Sequence, residues 1–78
     1  MTDEGRLQWF EAQAEASYGM MYDTANSTDA AARYSDAKEA LYDAIGLARR
    51  LGKVDVAARL EQRLAHIKAV FRSQFSTW

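Results

Sequence analysis

The chain contains no cysteine, no proline and only one histidine in 78 residues. Without cysteine there can be no disulfide, and one histidine cannot furnish the four ligands of a structural zinc site. The lack of thiols also suits a reducing compartment. No apolar run approaches the ~20 residues that a membrane span needs. The start, Met1-Thr2-Asp3-Glu4, is acidic and has neither the basic nor the apolar region of a secretion signal. These absences lead us to expect a soluble, cytoplasmic protein with one domain over residues 1–78.

So short a chain has little core. Size scaling gives roughly 63% of the unfolded surface buried on folding. With about 60% of that apolar, at about 25 cal/mol/Å², the gain is on the order of 120 kcal/mol. Ordering the chain at about 1.5 kcal/mol per residue costs a similar amount. With disulfides and zinc excluded, the remaining sources of stability are close helix packing and association.

The missing proline removes the strongest helix breaker. Ala, Leu, Arg, Glu, Gln, Lys and Met dominate, and all are good helix formers. No alternating Val/Ile/Thr-rich run marks a strand. Two breaks stand out: Asn26-Ser27-Thr28, whose side chains bond local backbone, and Gly52-Lys53 after an apolar run. The spacing predicts three helices, at about 4–25, 29–51 and 55–76. The predicted fold is all-α, an antiparallel three-helix bundle running up-down-up.

Each helix has an apolar stripe. The first carries Leu7, Phe10, Ala14, Tyr18, Met21 and Ala25, widened by Trp9, Ala16 and Met20. Gly19, inside it, is expected to allow close helix contact. The second has Tyr34, Ala37, Leu41, Ala44, Ala48 and Leu51 at heptad spacing, flanked by Ile45. Ser27 or Thr28 is placed to cap it. The third has Ala57, Leu60, Leu64, Ile67, Phe71 and Phe75, with Val56 and Val70 alongside and Asp55 at its start. The spacings Asp29/Arg33 and Asp55/Arg59 allow ion pairs within one helix.

The net charge of −1 hides a gradient. Residues 1–29 hold six acidic groups and one basic. Residues 30–51 hold three acidic and four basic, and residues 52–78 two acidic and five basic. An acidic first helix beside a basic third helix predicts attraction between them.

Residues 40–67 carry Ala40-Leu41-Tyr42-Asp43-Ala44-Ile45-Gly46, then Gly52-Lys53-Val54-Asp55-Val56-Ala57. This run resembles a single tetratricopeptide-type helical hairpin. Ala40, Gly52 and Ala57 match the family's small residue in the first helix, its closing Gly and its close-packing Ala. Gly46 falls one place later than the family's internal Gly, Glu61 replaces a large apolar residue, and no proline follows. The resemblance implies a tight antiparallel hairpin of the kind that serves as an interaction surface.

Catalytic parts are scarce. The positions three and four away from His66 are Gln62, Arg63, Ala69 and Val70, which supply no good second metal ligand. Lys68 follows His66 by two residues, unlike the His, Lys, Gly order of histidine phosphotransfer domains. The serines lack a partner base in a strand-turn context. Glu11 with Glu15, and Glu39 with Asp43, share helix faces and read as solvated acidic surface. We expect no enzyme activity, cofactor, metal or small-molecule substrate.

The surplus is aromatic: Trp9, Phe10, Tyr18, Tyr22, Tyr34, Tyr42, Phe71, Phe75 and Trp78. A thin bundle cannot enclose nine such rings. Phe71, Phe75 and Trp78 form a stripe that an up-down-up bundle brings beside Tyr22. Trp78 is the last residue, so its indole either folds back or faces a partner. The expected function is a non-enzymatic protein-interaction module, self-associating as a homo-oligomer through Tyr22, Phe71, Phe75 and Trp78. The alternative is a nucleic-acid-associated regulator using Arg49, Arg50, Lys53, Arg59 and Arg63, although a pI of about 5.7 opposes a strong electrostatic footprint.

Overall fold

The computed structural model describes residues 2–23 and 26–74. Three helices follow in order: α1 (Asp3–Met21), α2 (Ser27–Arg50) and α3 (Val54–Gln74). The fold is the expected all-α three-helix bundle. None of these helices is long and apolar enough to cross a membrane.

Local chemistry sets the helix ends. Thr2 starts α1, its side chain accepting the Gly5 N–H at 3.0 Å. That helix stops at Met21, four residues sooner than expected. There the Tyr22 N–H bonds the Gly19 carbonyl and the Asp23 N–H bonds the Met20 carbonyl, tightening the chain into a turn. Asn26, rather than Ser27 or Thr28, is the cap of α2. Its side-chain oxygen accepts the Asp29 N–H at 2.9 Å, so the helix begins two residues early. Asp29 in the first turn, with Arg49 and Arg50 in the last, complements the helix dipole.

Gly52 ends α2 in the left-handed region, at φ +74°. The Lys53 N–H reaches back to the Ala48 carbonyl at 2.8 Å, and the Gly52 N–H to Arg49 at 3.1 Å. This pair of bonds is a Schellman closure. The Lys53 carbonyl then accepts the Ala57 N–H, and α3 starts at once. A three-residue link thus makes α2 and α3 an antiparallel hairpin.

α2 is the middle helix. Both α1 and α3 pack on it, and they meet each other far less. The Cα atoms span 40 × 23 × 12 Å, a flattened shape. Ala30, Ala37, Ala44 and Ala48 on α2 are wholly buried. Their small side chains let both neighbours approach. Leu41, Ile45 and Leu47 fill the space around them, with Leu7 and Ala14 from α1 and Leu60, Leu64 and Ile67 from α3. Leu47 falls outside the stripe read from the heptad, whereas Ala30, seven residues before Ala37, continues it. Leu47 is buried because α2 has two neighbours, which together cover more than one stripe.

Two corrections concern α1. Trp9, Ala16 and Met20 do not widen the buried stripe; all three are exposed, Trp9 by 50%. Met21, a member of the expected stripe, is wholly buried and packs with Ala30, Tyr34, Val70 and Phe71. Gly19 makes no close helix contact, since a Cβ built there meets nothing within 4 Å. Ala25 and Phe75, the ends of two predicted stripes, lie outside the described residues.

Glycine substitutions test this picture. Gly19 and Gly46 are exposed, helical and open, so Gly19→Ala and Gly46→Ala should each stabilise by up to about 0.8 kcal/mol. Gly52→Ala should destabilise by about 1 kcal/mol or more, because a Cβ opposes its positive φ. Urea midpoints of the three variants check the opposite signs.

Candidate functional site

The acidic first helix and basic third helix meet in a seam of ion pairs. Lys53 pairs with Glu4 at 3.1 Å, Arg59 with Glu11 at 2.8 Å, and Arg63 with Glu15. Both chains of numbers rise together, so α1 and α3 run parallel and α2 runs against them. Arg63 grips Glu15 with two bonds, Nε to Oε2 at 2.8 Å and Nη2 to Oε1 at 2.6 Å. Such a fork is the strong form of a carboxylate pair. Arg59 does not use Asp55, four residues before it, because α1 offers Glu11 across the seam. Arg33 likewise pairs with Asp36 at 3.3 Å rather than with Asp29.

The seam shifts its own titrations. The Arg63 hydrogen bonds hold the Glu15 carboxyl below its usual range, against a smaller opposing effect of burial. Glu15 in turn raises Arg63. The Arg63 guanidinium lies 4.9 Å from the Tyr18 ring centre. The Tyr18 phenol is raised, first by its 3.2 Å hydroxyl contact with Tyr22 and then by burial. Under the seam is a cleft of about 480 Å³, walled by Glu11, Glu15, Arg59, Arg63 and His66 over Leu41 and Leu60. His66 is exposed, with its ring 6.3 Å from Tyr18. Among the described residues no group of three His, Cys, Asp or Glu side chains could hold a metal.

Most of the basic residues considered for nucleic acid are thus engaged. Arg49 pairs with Glu61 on α3, and Lys53, Arg59 and Arg63 pair with α1. Arg50 is exposed at the end of α2. The hairpin places these five along two edges, with carboxylates interleaved.

The aromatic residues considered for a partner divide in another way. Phe71 is half-buried and stacks on Tyr34, with centroids 4.0 Å apart and planes 3° apart. Tyr22 is 51% exposed at the end of α1, edge-on to Tyr18. The cluster around Met21 brings Phe71 and Tyr18 to this same end of the bundle. Phe75 and Trp78 lie outside the described residues.

A second surface was not legible as such. On α1, away from α3, Trp9, Ala16 and Met20 line a groove with Phe10 and with Ala40 of α2. Its volume is about 330 Å³, and Asp36, Glu39 and Asp43 form its α2 rim. The Trp9 indole stands edge-on to Phe10 at 5.4 Å. A signal existed: α1 carries apolar residues on a second face, Trp9, Ala16 and Met20, away from Leu7, Ala14 and Met21, more than one buried stripe uses.

The seam predicts an acid limb in stability. A carboxyl depressed by folding stabilises above its unfolded value, about 4.3 for Glu, and that stability fades as pH falls through the lower folded value. Glu15→Gln should flatten this limb. A Glu15→Gln/Arg63→Met cycle should give a coupling of about 0.5–1 kcal/mol at neutral pH, as for partly exposed pairs. Chemical denaturation between pH 3 and 7 measures both.

Among known proteins, no family, no curated protein and no solved structure matches this chain.

Proposed function

We propose that the chain is a small non-enzymatic protein-interaction module that self-associates through the end of the bundle where α1 stops and α3 finishes. The supporting observation is Tyr22: a half-exposed aromatic ring beside Tyr18, at the end where Tyr34 and Phe71 stack. The sequence carries the Phe71 stripe onward to Phe75 and Trp78. Tyrosine and tryptophan are favoured at interfaces because one side chain gives large contact area with a polar tip. A second copy covering this end would add apolar burial to a core rich in alanine. The resemblance of residues 40–67 to a tetratricopeptide-type hairpin favours an interaction role as well. The absence of cysteine suits work in the reducing cytoplasm.

The nucleic-acid alternative asks more of the residues. Phosphates would have to displace Glu61, Glu4, Glu11 and Glu15 from Arg49, Lys53, Arg59 and Arg63. Arg50 alone is a weak footprint, and the acid carboxylates set free would repel the polyanion.

Light scattering behind size exclusion should give a mass above 8.8 kDa at micromolar concentration. The Tyr22→Ala/Trp78→Ala variant should shift to the monomer mass with its helical signal retained. A wild-type monomer across that range rejects self-association. Salt-sensitive binding of mixed DNA or RNA by fluorescence anisotropy would favour the alternative.

A further inference from the structure

We propose that the groove between α1 and α2 is a docking site for a basic amphipathic helix of another protein. This rests on the interaction-module reading and adds a second, heterotypic surface to it.

The groove has the form such a ligand needs. Trp9, Gln13, Ala16 and Met20 are spaced 4, 3 and 4, so they line one face of α1. Trp9 is 50% and Met20 43% exposed. From Trp9 to Met20 the helix rises about 16 Å, which is three turns. Ala40, half-buried, forms the α2 side of the floor, with Phe10 beneath Trp9. A straight apolar trough between two antiparallel helices takes a third helix by its i, i+3/i+4 and i+7 side chains. Ser17 and Ala40, small and half-buried at the floor, allow close approach, and Met20 on the rim adapts to an irregular surface.

The charge selects the ligand. All the carboxylates on the groove stand on the α2 rim: Asp36, Glu39 and Asp43. Arg33 engages only Asp36. Glu39 and Asp43 lie four apart and are both exposed. The α1 rim, Trp9, Gln13, Ala16 and Met20, carries no charge. A ligand helix therefore carries Lys or Arg on one flank of its apolar stripe, the flank that lies over α2.

A second copy is a poor occupant. Among the described residues, the chain's own basic side chains on Lys53, Arg49, Arg59 and Arg63 already meet its own glutamates. Lys38 and Lys68 sit over the rings of Tyr34 and Tyr42. The apolar stripes of α2 and α3 are the core itself. No described helix offers an exposed apolar stripe with unpaired cations on one flank.

The test is a displayed library of helical peptides of about 14 residues, randomised on their surface and panned against the full chain. We expect enrichment of an apolar stripe with Lys or Arg on one flank only. Enriched peptides, labelled and followed by anisotropy, should weaken at least about tenfold on Trp9→Ala. Glu39→Lys/Asp43→Lys should weaken them by a similar factor and reverse the preference to acidic peptides. No enrichment, enrichment without charge preference, or winners indifferent to both variants overturns the proposal. So does a concentration-dependent dimer that Trp9→Ala abolishes, which makes the groove a contact between copies. The mass of the Trp9→Ala protein separates the two surfaces: self-association through the Tyr22 end leaves it unchanged. A failed panning with an intact oligomer therefore removes the groove and not the module, and bound peptide on a monomer does the reverse.

Discussion

Everything in this structure depends on one line of alanines along α2, the helix on which both α1 and α3 pack. Ala30, Ala37, Ala44 and Ala48 have no exposed surface, and with only a methyl group each they bring both neighbouring helices close. Close approach multiplies dispersion contacts and excludes water, which a core holding six alanines among its fourteen described buried residues needs. Two consequences follow. α1 and α3 need little contact with each other, and the bundle is flat, 12 Å deep across its Cα atoms. A large residue at one of the four would push one neighbour away and open the seam.

The seam fills the gap that flatness leaves. Ion pairs at Glu4, Glu11 and Glu15 tie α1 to α3 where apolar packing is thin. Each pair is partly exposed and therefore modest in energy. Their combined effect is orientation, since opposite charges at matched heights favour one parallel register and oppose slippage. The basic residues that a search for nucleic-acid contacts would select thus have a structural use. Net charge says nothing of this; the distribution along the chain does.

Flatness also exposes more of the outer helix. α1 touches α2 along one stripe and α3 mainly through glutamates, so its far side carries Trp9 and Met20 into solvent. Their exposure comes from the same geometry that buries the alanines. The aromatic end around Tyr22 has another origin. The chain turns there before Tyr22 can be covered, while Phe71 is drawn inward to stack on Tyr34.

Much of the fold was legible in the sequence because its causes are local. Helix propensity, apolar spacing, the Asn26 region and Gly52 act over a few residues, and they set three helices and two turns. The charge gradient pointed to the union of α1 and α3 because it survives any detail of register. The start of α2 and the end of α1 were missed by two and four residues, since several neighbours can make the same local bonds. What the sequence could not decide was which apolar residues of α1 are covered. Leu7, Ala14 and Met21 are inside and Trp9, Ala16 and Met20 outside because α3 takes one side of the α1–α2 pair. That choice is made by contacts some 48 residues apart, such as Glu15 with Arg63, and no spacing within one helix contains it.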